Sequence, residues 1–182
     1  MIYPEYRNEL HPELFKECEG KRIHIGLGSV VEKGVTIGKN VFIGHNTVIR
    51  SGSVIGDDVM ISHNCVIEDG VHIGNAVRIQ ACTYITRGTK IEDCVFIGPM
   101  VCTTNEWKIS THGRDIPQKI QPCIIKYGAR IGARVLLMPG VIIHKNALVG
   151  AGSLITKDVP ERQIWFGHPA EKHGTVPFEE LI

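Results

Sequence analysis

The longest interruption in an otherwise regular sequence carries the side chains best suited to chemistry. This stretch of 22 residues, TTNEWKISTHGRDIPQKIQPCI (103–124), holds Asn105, Trp107 and His112. An amide donates and accepts hydrogen bonds, and an imidazole takes up a proton near neutral pH. Because long loops on a compact scaffold usually carry function, we predict a site here. Its candidate residues are Thr104, Asn105, Trp107 and His112.

Asn105 and His112 also have a structural interpretation. Asn105 stands where the chain leaves the regular pattern, and Asn often stabilises such a turn. His112 is equally compatible with a solvent-exposed position in the loop.

Two further histidines are separated by 18 residues. His45 and His63 have this spacing, and Asn46 and Asn64 follow them with the same interval. If the backbone completes one turn every 18 residues, such residues stack on one outward-facing corner. We predict that His63 is a second candidate base and that His45 binds hydroxyl or phosphate groups of a substrate. The alternative is a surface corner that accepts any polar residue.

A run of small residues near the end of the chain is typical of a binding strip for an extended ligand. Small side chains let such a ligand approach backbone N–H and C=O groups, and nearby cations then contact its phosphates. The alternative is that these glycines serve only the corners of the fold. The candidate residues are Arg134, Gly150, Ala151, Gly152, Ser153 and Lys157.

The elements that must position these residues follow from a six-residue repeat. An aliphatic residue recurs at every sixth position over thirteen hexads from Ile25 to Ile97 and six from Ile125 to Ile155. Gly, Asn and Asp are frequent between the aliphatic residues, which suits tight corners. A short fixed period is typical of a solenoid, so three hexads form one 18-residue coil around a continuous apolar core. The sequence predicts an all-β parallel β-helix of about six coils, with one extended loop at 103–124.

The repeat also divides the chain into three segments. Residues 1–21 precede it, residues 22–160 form the β-helix with its loop, and residues 161–182 form a tail. We expect one or two helical turns over 12–18 to cap the first coil, because an open β-helix end exposes unpaired strand edges. A chain of 182 residues fits one domain.

Composition excludes several classes of function. The formal net charge of +1 disfavours nucleic acid as a partner, and no apolar run is long enough to span a membrane. The first residues contain no apolar signal core, and six cysteines form no CxxC pair, so we expect free thiols in a reducing cytoplasm. Only His168 and His173 have the H-x4-H spacing found in some zinc sites. They lie beyond the repeat, and we expect no metal.

The repeat resembles that of hexapeptide-repeat proteins, which form left-handed β-helices. This resemblance covers about residues 22–170. It gives the hand of the helix, since the general rule for parallel crossovers favours the opposite hand. It also implies a homotrimer with parallel axes, in which clefts between the copies hold the sites.

Three motifs resemble a narrower family, the acyl-CoA-dependent N-acyltransferases of nucleotide-linked amino sugars. The similarity is greatest to the type acting on UDP-2-acetamido-3-amino-2,3-dideoxyglucuronate. Its Ile-Gln-Asn-Asn reads Ile79-Gln80-Ala81-Cys82 here, and its Phe-Thr-Asn reads Thr103-Thr104-Asn105. The coenzyme A segment of the superfamily is similar to GAGSLITKDVP at 150–160.

This resemblance implies a substrate pair and a pathway. The donor is acetyl-CoA, and the acceptor is a nucleotide-linked amino sugar used in making surface polysaccharide. Gln80, Thr104 and Trp107 become substrate contacts, and Asn105 lies near the reacting amine as a candidate catalytic residue. His112 becomes a candidate base, since other hexapeptide acetyltransferases use a loop histidine in that role. Three alternatives stay open: an O-acetyltransferase acting on a hydroxyl, a γ-carbonic-anhydrase-like enzyme, and a non-catalytic scaffold on the same prism.

Overall fold

The backbone winds into a three-sided solenoid of short parallel strands. The computed structural model describes residues 20–108 and 119–182. In these residues twenty two-residue strands follow one another, each one hexad after the last except across the loop. The second residue of every such strand is buried and the first faces outward. Three strands complete one coil, and strands of successive coils pair in parallel.

The strands form three sheets, one for each side of the prism. The first sheet contains β1 (His24–Ile25), β4 (Phe42–Ile43), β7 (Met60–Ile61), β10 (Arg78–Ile79), β13 (Phe96–Ile97), β16 (Arg130–Ile131), β19 (Leu148–Val149), β21 (Gln163–Gly167) and β22 (Ala170–Thr175). The second contains β2 (Val30–Val31), β5 (Val48–Ile49), β8 (Val66–Ile67), β11 (Tyr84–Ile85), β14 (Cys102–Thr103), β17 (Leu136–Leu137) and β20 (Leu154–Ile155). The third contains β3 (Thr36–Ile37), β6 (Val54–Ile55), β9 (His72–Ile73), β12 (Lys90–Ile91), β15 (Ile124–Ile125) and β18 (Ile142–Ile143).

The core consists of stacked aliphatic columns. Ile43 pairs with Ile61, and Ile61 with Ile79, so equivalent residues of successive coils are in contact, and all three are 0% exposed. Burying one such side chain contributes about 1.5–3 kcal/mol, so the repeat itself supplies the stability. The predicted all-β parallel solenoid is confirmed and is consistent with a left-handed β-helix. It has about seven turns rather than about six.

Tight corners join the sheets, and we number them by the sheet that they follow. Corner 1 leads from the first sheet to the second, corner 2 from the second to the third, and corner 3 from the third to the first. The residue that closes corner 1 has a positive φ in every coil, for example 54° at Asn46 and 72° at Gly152. Asn and Gly adopt this conformation at low energetic cost, which explains their frequency in the hexads.

The backbone pairing of the solenoid continues into the segment predicted as a loop. Strand β14 continues the repeat to Thr103, whose side chain is 0% exposed at the position of the missing aliphatic residue. Its hydroxyl accepts the backbone N–H of Thr86 at 2.8 Å. The Gln121 N–H then donates to the Asn105 carbonyl at 2.7 Å and closes the base of the loop. Regular backbone pairing therefore extends into the predicted bounds 103–124, as far as Asn105 at the start and from Gln121 at the end.

The tail forms a hairpin on the last coil. Strand β21 pairs in parallel with β19, and β22 returns antiparallel to β21. The last residues then run back along the prism, where the Arg130 guanidinium pairs with Glu180 at 2.8 Å and the Asn146 amide donates to the Ile182 carbonyl at 3.3 Å. The predicted helical turns at 12–18 lie outside the described residues. In the part of the chain that the structure describes, no helix is long and apolar enough to cross a membrane.

Candidate functional site

The residues predicted from sequence separate onto two corners that flank the second sheet. Thr104, Asn105 and Lys157 lie on corner 2, where the loop also leaves the solenoid. His112 lies outside the described residues. Because a whole face of the prism separates the two corners, one chain does not bring the two groups together. The residues on corner 1 are His45, His63, Gln80, Arg134, Gly150, Ala151 and Gly152.

The two histidines form part of a backbone ladder. The Leu27 N–H donates to His45 Nδ1 at 2.7 Å, and the His45 N–H donates to His63 Nδ1 at 2.8 Å. The two rings stack with centroids 5.2 Å apart and planes 8° from parallel. At corner 3 the Asp57 N–H donates in the same way to Asn75 Oδ1 at 2.8 Å. Corner side chains of several types therefore connect adjacent coils in this manner.

This ladder limits what the histidines do chemically. Because a backbone N–H donates to each Nδ1, that nitrogen has no proton, and the neutral ring carries its proton on Nε2. Each ring therefore presents a hydrogen-bond donor to the solvent. His63 takes up a proton from a substrate only if its bond from the His45 N–H breaks.

The small-residue strip divides into a covered part and an open part. A Cβ added to Gly150 would lie 2.6 Å from Cβ of Phe166, so glycine there lets the tail hairpin pack closely. Ser153 is 1% exposed, and its hydroxyl donates to the Gly150 carbonyl at 2.6 Å and accepts the Gly167 N–H at 3.2 Å. Ala151 and Gly152 are exposed and offer their backbone to a ligand.

Two cations accompany this strip at different places. Arg134 is exposed on corner 1, one coil before Gly152, whose N–H donates to the Ala133 carbonyl at 2.8 Å. Lys157 is exposed on corner 2 in the same coil as Gly152. Within one chain Arg134 is beside the strip, whereas Lys157 is one face away.

The residues at the base of the loop are held by the adjacent coils. The Thr104 hydroxyl donates to the Leu137 carbonyl at 2.8 Å. The Asn105 amide donates to the Arg87 carbonyl at 3.4 Å, which fixes the side chain against the preceding coil. Trp107, at 54% exposed, follows at the loop entrance. A half-buried amide beside an exposed aromatic side chain is suited to binding a polar ligand that has one apolar face.

A phenol–carboxylate pair where the second sheet meets corner 2 was missed by sequence reasoning. The Tyr84 hydroxyl donates to Glu68 Oε1 at 2.5 Å, and the Arg87 N–H donates to Glu68 Oε2 at 3.0 Å. The hydrogen bond to Glu68 and then partial desolvation raise the pKa of Tyr84 to about 12, so the phenol stays protonated. Glu68 and Tyr84 are 16 residues apart, so they do not belong to one of the columns that the 18-residue period predicts.

Other charges on corner 2 form an ion ladder. Arg50 lies between Glu32 at 3.6 Å and Asp69 at 3.7 Å, and Asp69 pairs with Arg87 at 2.5 Å. Desolvation raises the pKa of Asp69, but its own backbone N–H and Arg87 outweigh this and bring the pKa below its ordinary value. These acids are therefore already paired with cations.

A separate groove of about 510 Å³ lies on the third sheet and corner 3. Lys126 and Glu92 on its wall form an ion pair at 2.7 Å. Desolvation raises the pKa of Glu92, but Lys126 and the Tyr127 N–H outweigh this and bring the pKa below its ordinary value. None of the predicted site residues lines this groove.

Among the described residues no three His, Cys, Asp or Glu side chains are grouped to hold a metal ion, and five cysteines are free thiols.

Two family profiles match the coils that carry these residues. The first, described as bacterial transferase hexapeptide (six repeats), matches residues 52–87. The second, described as hexapeptide repeat of succinyl-transferase, matches residues 34–67 and 122–157. The coils of this chain are therefore similar to the hexapeptide repeats that these profiles describe. A six-residue period accounts for the confirmed solenoid, and both profiles are named after transferases.

Individual relatives match parts of the hexapeptide-repeat chain. The dTDP-3-amino-3,6-dideoxy-alpha-D-galactopyranose 3-N-acetyltransferase of Aneurinibacillus thermoaerophilus is 42% identical over 60 residues, which are 33% of this chain and 31% of that protein. The galactoside O-acetyltransferase of Lactococcus lactis is 54% identical over 39 residues, 21% of this chain and 19% of that protein. The chain thus spans about a third or less of the curated relatives it matches.

A solved structure has a similar fold. PerB from Caulobacter crescentus, in complex with CoA and GDP-perosamine, superimposes with a TM-score of 0.54 at 22% identity. The alignment covers 84% of this chain and 57% of PerB. At this level of identity the likeness concerns the fold.

Proposed function

We propose that this chain is an acyl-CoA-dependent N-acyltransferase that transfers an acetyl group to the amine of a nucleotide-linked amino sugar. The observation that carries the proposal is the match to a 3-N-acetyltransferase of a nucleotide-linked amino sugar, combined with Thr104 and Asn105 at the base of the loop. The corresponding pathway is the assembly of surface polysaccharide in the cytoplasm, where acetyl-CoA is available. PerB supports it as an example of a similar fold holding CoA with a nucleotide-linked sugar.

The outward face of the second sheet supports a homotrimer. Every outward residue of this sheet is apolar, an aromatic phenol or a thiol, although Val30 is 49% and Tyr84 38% exposed. A continuous apolar face on a polar prism marks an interaction surface. We propose that three second sheets surround a threefold axis parallel to the solenoid. The face consists of Val30, Val48, Val66, Tyr84, Cys102, Leu136 and Leu154.

This arrangement brings together the residues that one chain keeps apart. If the second sheet faces the axis, corner 1 of one copy lies beside corner 2 of the next. A rotation about a parallel axis preserves height, so residues of the same coil meet across the interface. Gly152 and Lys157 belong to one coil. The trimer therefore places Lys157 of one copy near the open strip of its neighbour.

In this cleft the acyl donor lies along corner 1 and the acceptor near corner 2. The backbone at Ala151 and Gly152 borders the extended arm of coenzyme A, and Arg134 and the neighbour's Lys157 contact its phosphates. The buried Ser153 hydroxyl already forms hydrogen bonds to the Gly150 carbonyl and the Gly167 N–H. We therefore do not propose that Ser153 contacts coenzyme A. Gln80, on corner 1 between the histidines and Arg134, contacts the acceptor from the donor side.

The reaction needs little beyond alignment of the two substrates. The amine attacks the thioester carbonyl, and a backbone N–H of a coil edge stabilises the oxyanion. Holding both substrates in one cleft contributes about 7–11 kcal/mol at the favourable limit. The Asn105 carboxamide orients the amine, and Trp107 contacts the acceptor, while His112 stays a prediction from the sequence.

Product analysis tests this function. Purified protein is incubated with acetyl-CoA and a panel of nucleotide-linked sugars that carry an amine or only hydroxyl groups, and masses are measured. We expect an increase of one acetyl group on an amino sugar only. The match to a galactoside O-acetyltransferase favours a second candidate, transfer to a hydroxyl. Acetylation of the amine-free sugars would select that second function.

A further inference from the structure

We propose that Glu68, held by Tyr84, binds the ammonium group of the acceptor and takes its proton before the amine attacks the thioester. This inference rests on the proposed N-acyltransferase function and adds the group that prepares the nucleophile. An alkylammonium is protonated at neutral pH and has no lone pair, so an amine acceptor must lose a proton before it reacts.

Glu68 and Asn105 lie on either side of one residue of corner 2. The backbone N–H of Arg87 donates to Glu68 Oε2 at 3.0 Å, and the Arg87 carbonyl accepts the Asn105 amide at 3.4 Å. The backbone N–H and C=O of one residue, Arg87, thus fix the carboxylate and the amide on the same corner. A ligand amine oriented by Asn105 is therefore close to the Glu68 carboxylate.

Glu68 differs in its partners from Glu32 and Asp69, the two acids of the ion ladder on corner 2. Glu32 and Asp69 contact arginines at 3.6 Å and 2.5 Å respectively, and their charge is compensated. The Glu68 carboxylate accepts hydrogen bonds from a neutral phenol and a backbone N–H, and no cation among residues 20–108 and 119–182 forms an ion pair with it. A half-buried carboxylate without a cationic partner attracts a cationic group of a ligand.

Tyr84 is a positioning residue that directs the carboxylate over the second sheet. It is the outward residue of β11, and its hydroxyl donates to Glu68 Oε1 at 2.5 Å. Its high pKa, about 12, keeps it a donor throughout the working range. The other titratable groups around the pair are Arg50, Asp69, Arg87 and Cys102.

The histidines of corner 1 are less suited to this task. The Nδ1 atoms of His45 and His63 accept backbone N–H groups, so their exposed Nε2 atoms carry protons. In the proposed trimer His63 lies in the same coil as Glu68 and faces it across the cleft as a donor. A donor and a carboxylate on opposite walls are suited to a hydroxyl-rich ammonium ligand.

The proton balance is complete with the groups named. The ammonium gives one proton to Glu68, which passes it to solvent, and the free amine forms a C–N bond to the carbonyl carbon. The C–S bond breaks, and the nitrogen loses its second proton to the departing sulfur. The products are the acetamido sugar, coenzyme A as a thiol and one proton.

The test compares Glu68→Gln with Glu32→Gln. Glu32 Oε2 accepts the Ser51 N–H at 2.8 Å, as Glu68 Oε2 accepts the Arg87 N–H, so both variants perturb the same backbone contact. We expect E68Q to lower kcat/KM for the amino sugar at pH 7 by about 100-fold or more. The KM for acetyl-CoA and the melting temperature stay unchanged, and E32Q stays within about threefold of the wild type.

The pH profile separates a proton acceptor from a structural residue. For E68Q only the free amine reacts, so kcat/KM rises about tenfold per pH unit until the amine titrates. The wild-type profile is flatter, and raising the pH therefore rescues E68Q. Tyr84→Phe keeps the carboxylate and lowers kcat/KM by about tenfold, with the wild-type slope retained.

The possible results distinguish this inference from the proposed function. An active wild type whose E68Q and E32Q variants have equal activity and equal pH slopes overturns the role of Glu68 and leaves the N-acyltransferase function intact. A wild type that acetylates no amino sugar overturns both. A loss in E68Q that high pH does not rescue also overturns the proton transfer.

Discussion

Corners 1 and 2 flank the same sheet, yet they differ in how regular they are. Corner 1 repeats: its closing residue has a positive φ in every coil, and His45 and His63 continue a ladder of backbone contacts. Corner 2 carries an ion ladder that follows the period, but it departs from the period at the loop and at the Glu68–Tyr84 pair. Columns that follow the period stabilise the solenoid, and departures from it provide groups for chemistry.

The comparison assigns each corner a role in the proposed cleft. The regular corner offers exposed backbone at Ala151 and Gly152, which is suited to an extended donor. The irregular corner offers an amide and a carboxylate that are fixed by Arg87, and these are suited to an amine. The two corners form one site only if a second copy supplies one of them.

The largest expected effect comes from separating the copies. Val66→Asp introduces a charge into the apolar face of the second sheet, and a buried unpaired charge costs about 3–5 kcal/mol. We expect monomers in light scattering and a loss of activity of about 100- to 1,000-fold. Val54→Asp is the matched control, because Val54 is equally half-buried but faces outward on the third sheet. An active monomeric V66D variant would contradict the shared site.

The next effect tests corner 2 directly. Asn105→Ala removes the amide that orients the amine, and we expect kcat to fall by about 100-fold with little change in the KM for acetyl-CoA. Asn75→Ala on corner 3 is the control, since Asn75 also contacts the adjacent coil through its side chain. Steady-state kinetics with the amino sugar measure both. Equal rates for wild type and N105A would remove Asn105 from the mechanism.

A smaller effect is expected on the donor side. Arg134→Ala and Lys157→Ala each remove one phosphate contact, so the KM for acetyl-CoA should rise about five- to tenfold, more at low salt than at high salt. Lys39→Ala, an exposed lysine of corner 3, is the control. If R134A raises KM and K157A does not, Lys157 lies away from the donor and the proposed alignment of coils is wrong.

The smallest effect is predicted for the histidine column. Asn75 shows that an Asn side chain accepts the same ladder hydrogen bond, so His63→Asn should keep the melting temperature within about 2 °C. Turnover should stay within about threefold of the wild-type value if His63 acts only in the backbone ladder of corner 1. A loss of more than about 30-fold, measured with saturating substrates, would restore His63 as a base.

The sequence predicts the scaffold well because one physical rule repeats in every coil. Each buried aliphatic residue indicates a strand, so the hexads alone predict the strands and the stacking of the aliphatic columns. The extension of the pairing into the predicted loop was missed because Thr103 occupies an aliphatic position, and its hydroxyl is satisfied by Thr86. A hydroxyl in a core column is not identifiable from periodicity alone.

The site is less predictable for two reasons. Glu68 and Tyr84 meet at a spacing of 16 residues, because a long phenol reaches backward along corner 2 to the preceding coil. The ladder role of His63 depends on which ring nitrogen faces the backbone, and spacing carries no information on this point. Motif resemblance led to the predictions of Asn105 and of the strip at 150–153. It carried no information on the tail hairpin, in which Phe166 covers Gly150.

Mixing two inactive variants tests the shared site most directly. Ala151→Trp blocks corner 1, and Asn105→Ala disables corner 2, so each homotrimer is inactive. In randomly mixed trimers about a quarter of the interfaces combine an intact corner 1 with an intact corner 2 from different copies. Co-expression of equal amounts is therefore expected to restore about a quarter of wild-type activity. Mixed trimers no more active than either parent would contradict a site built from two copies.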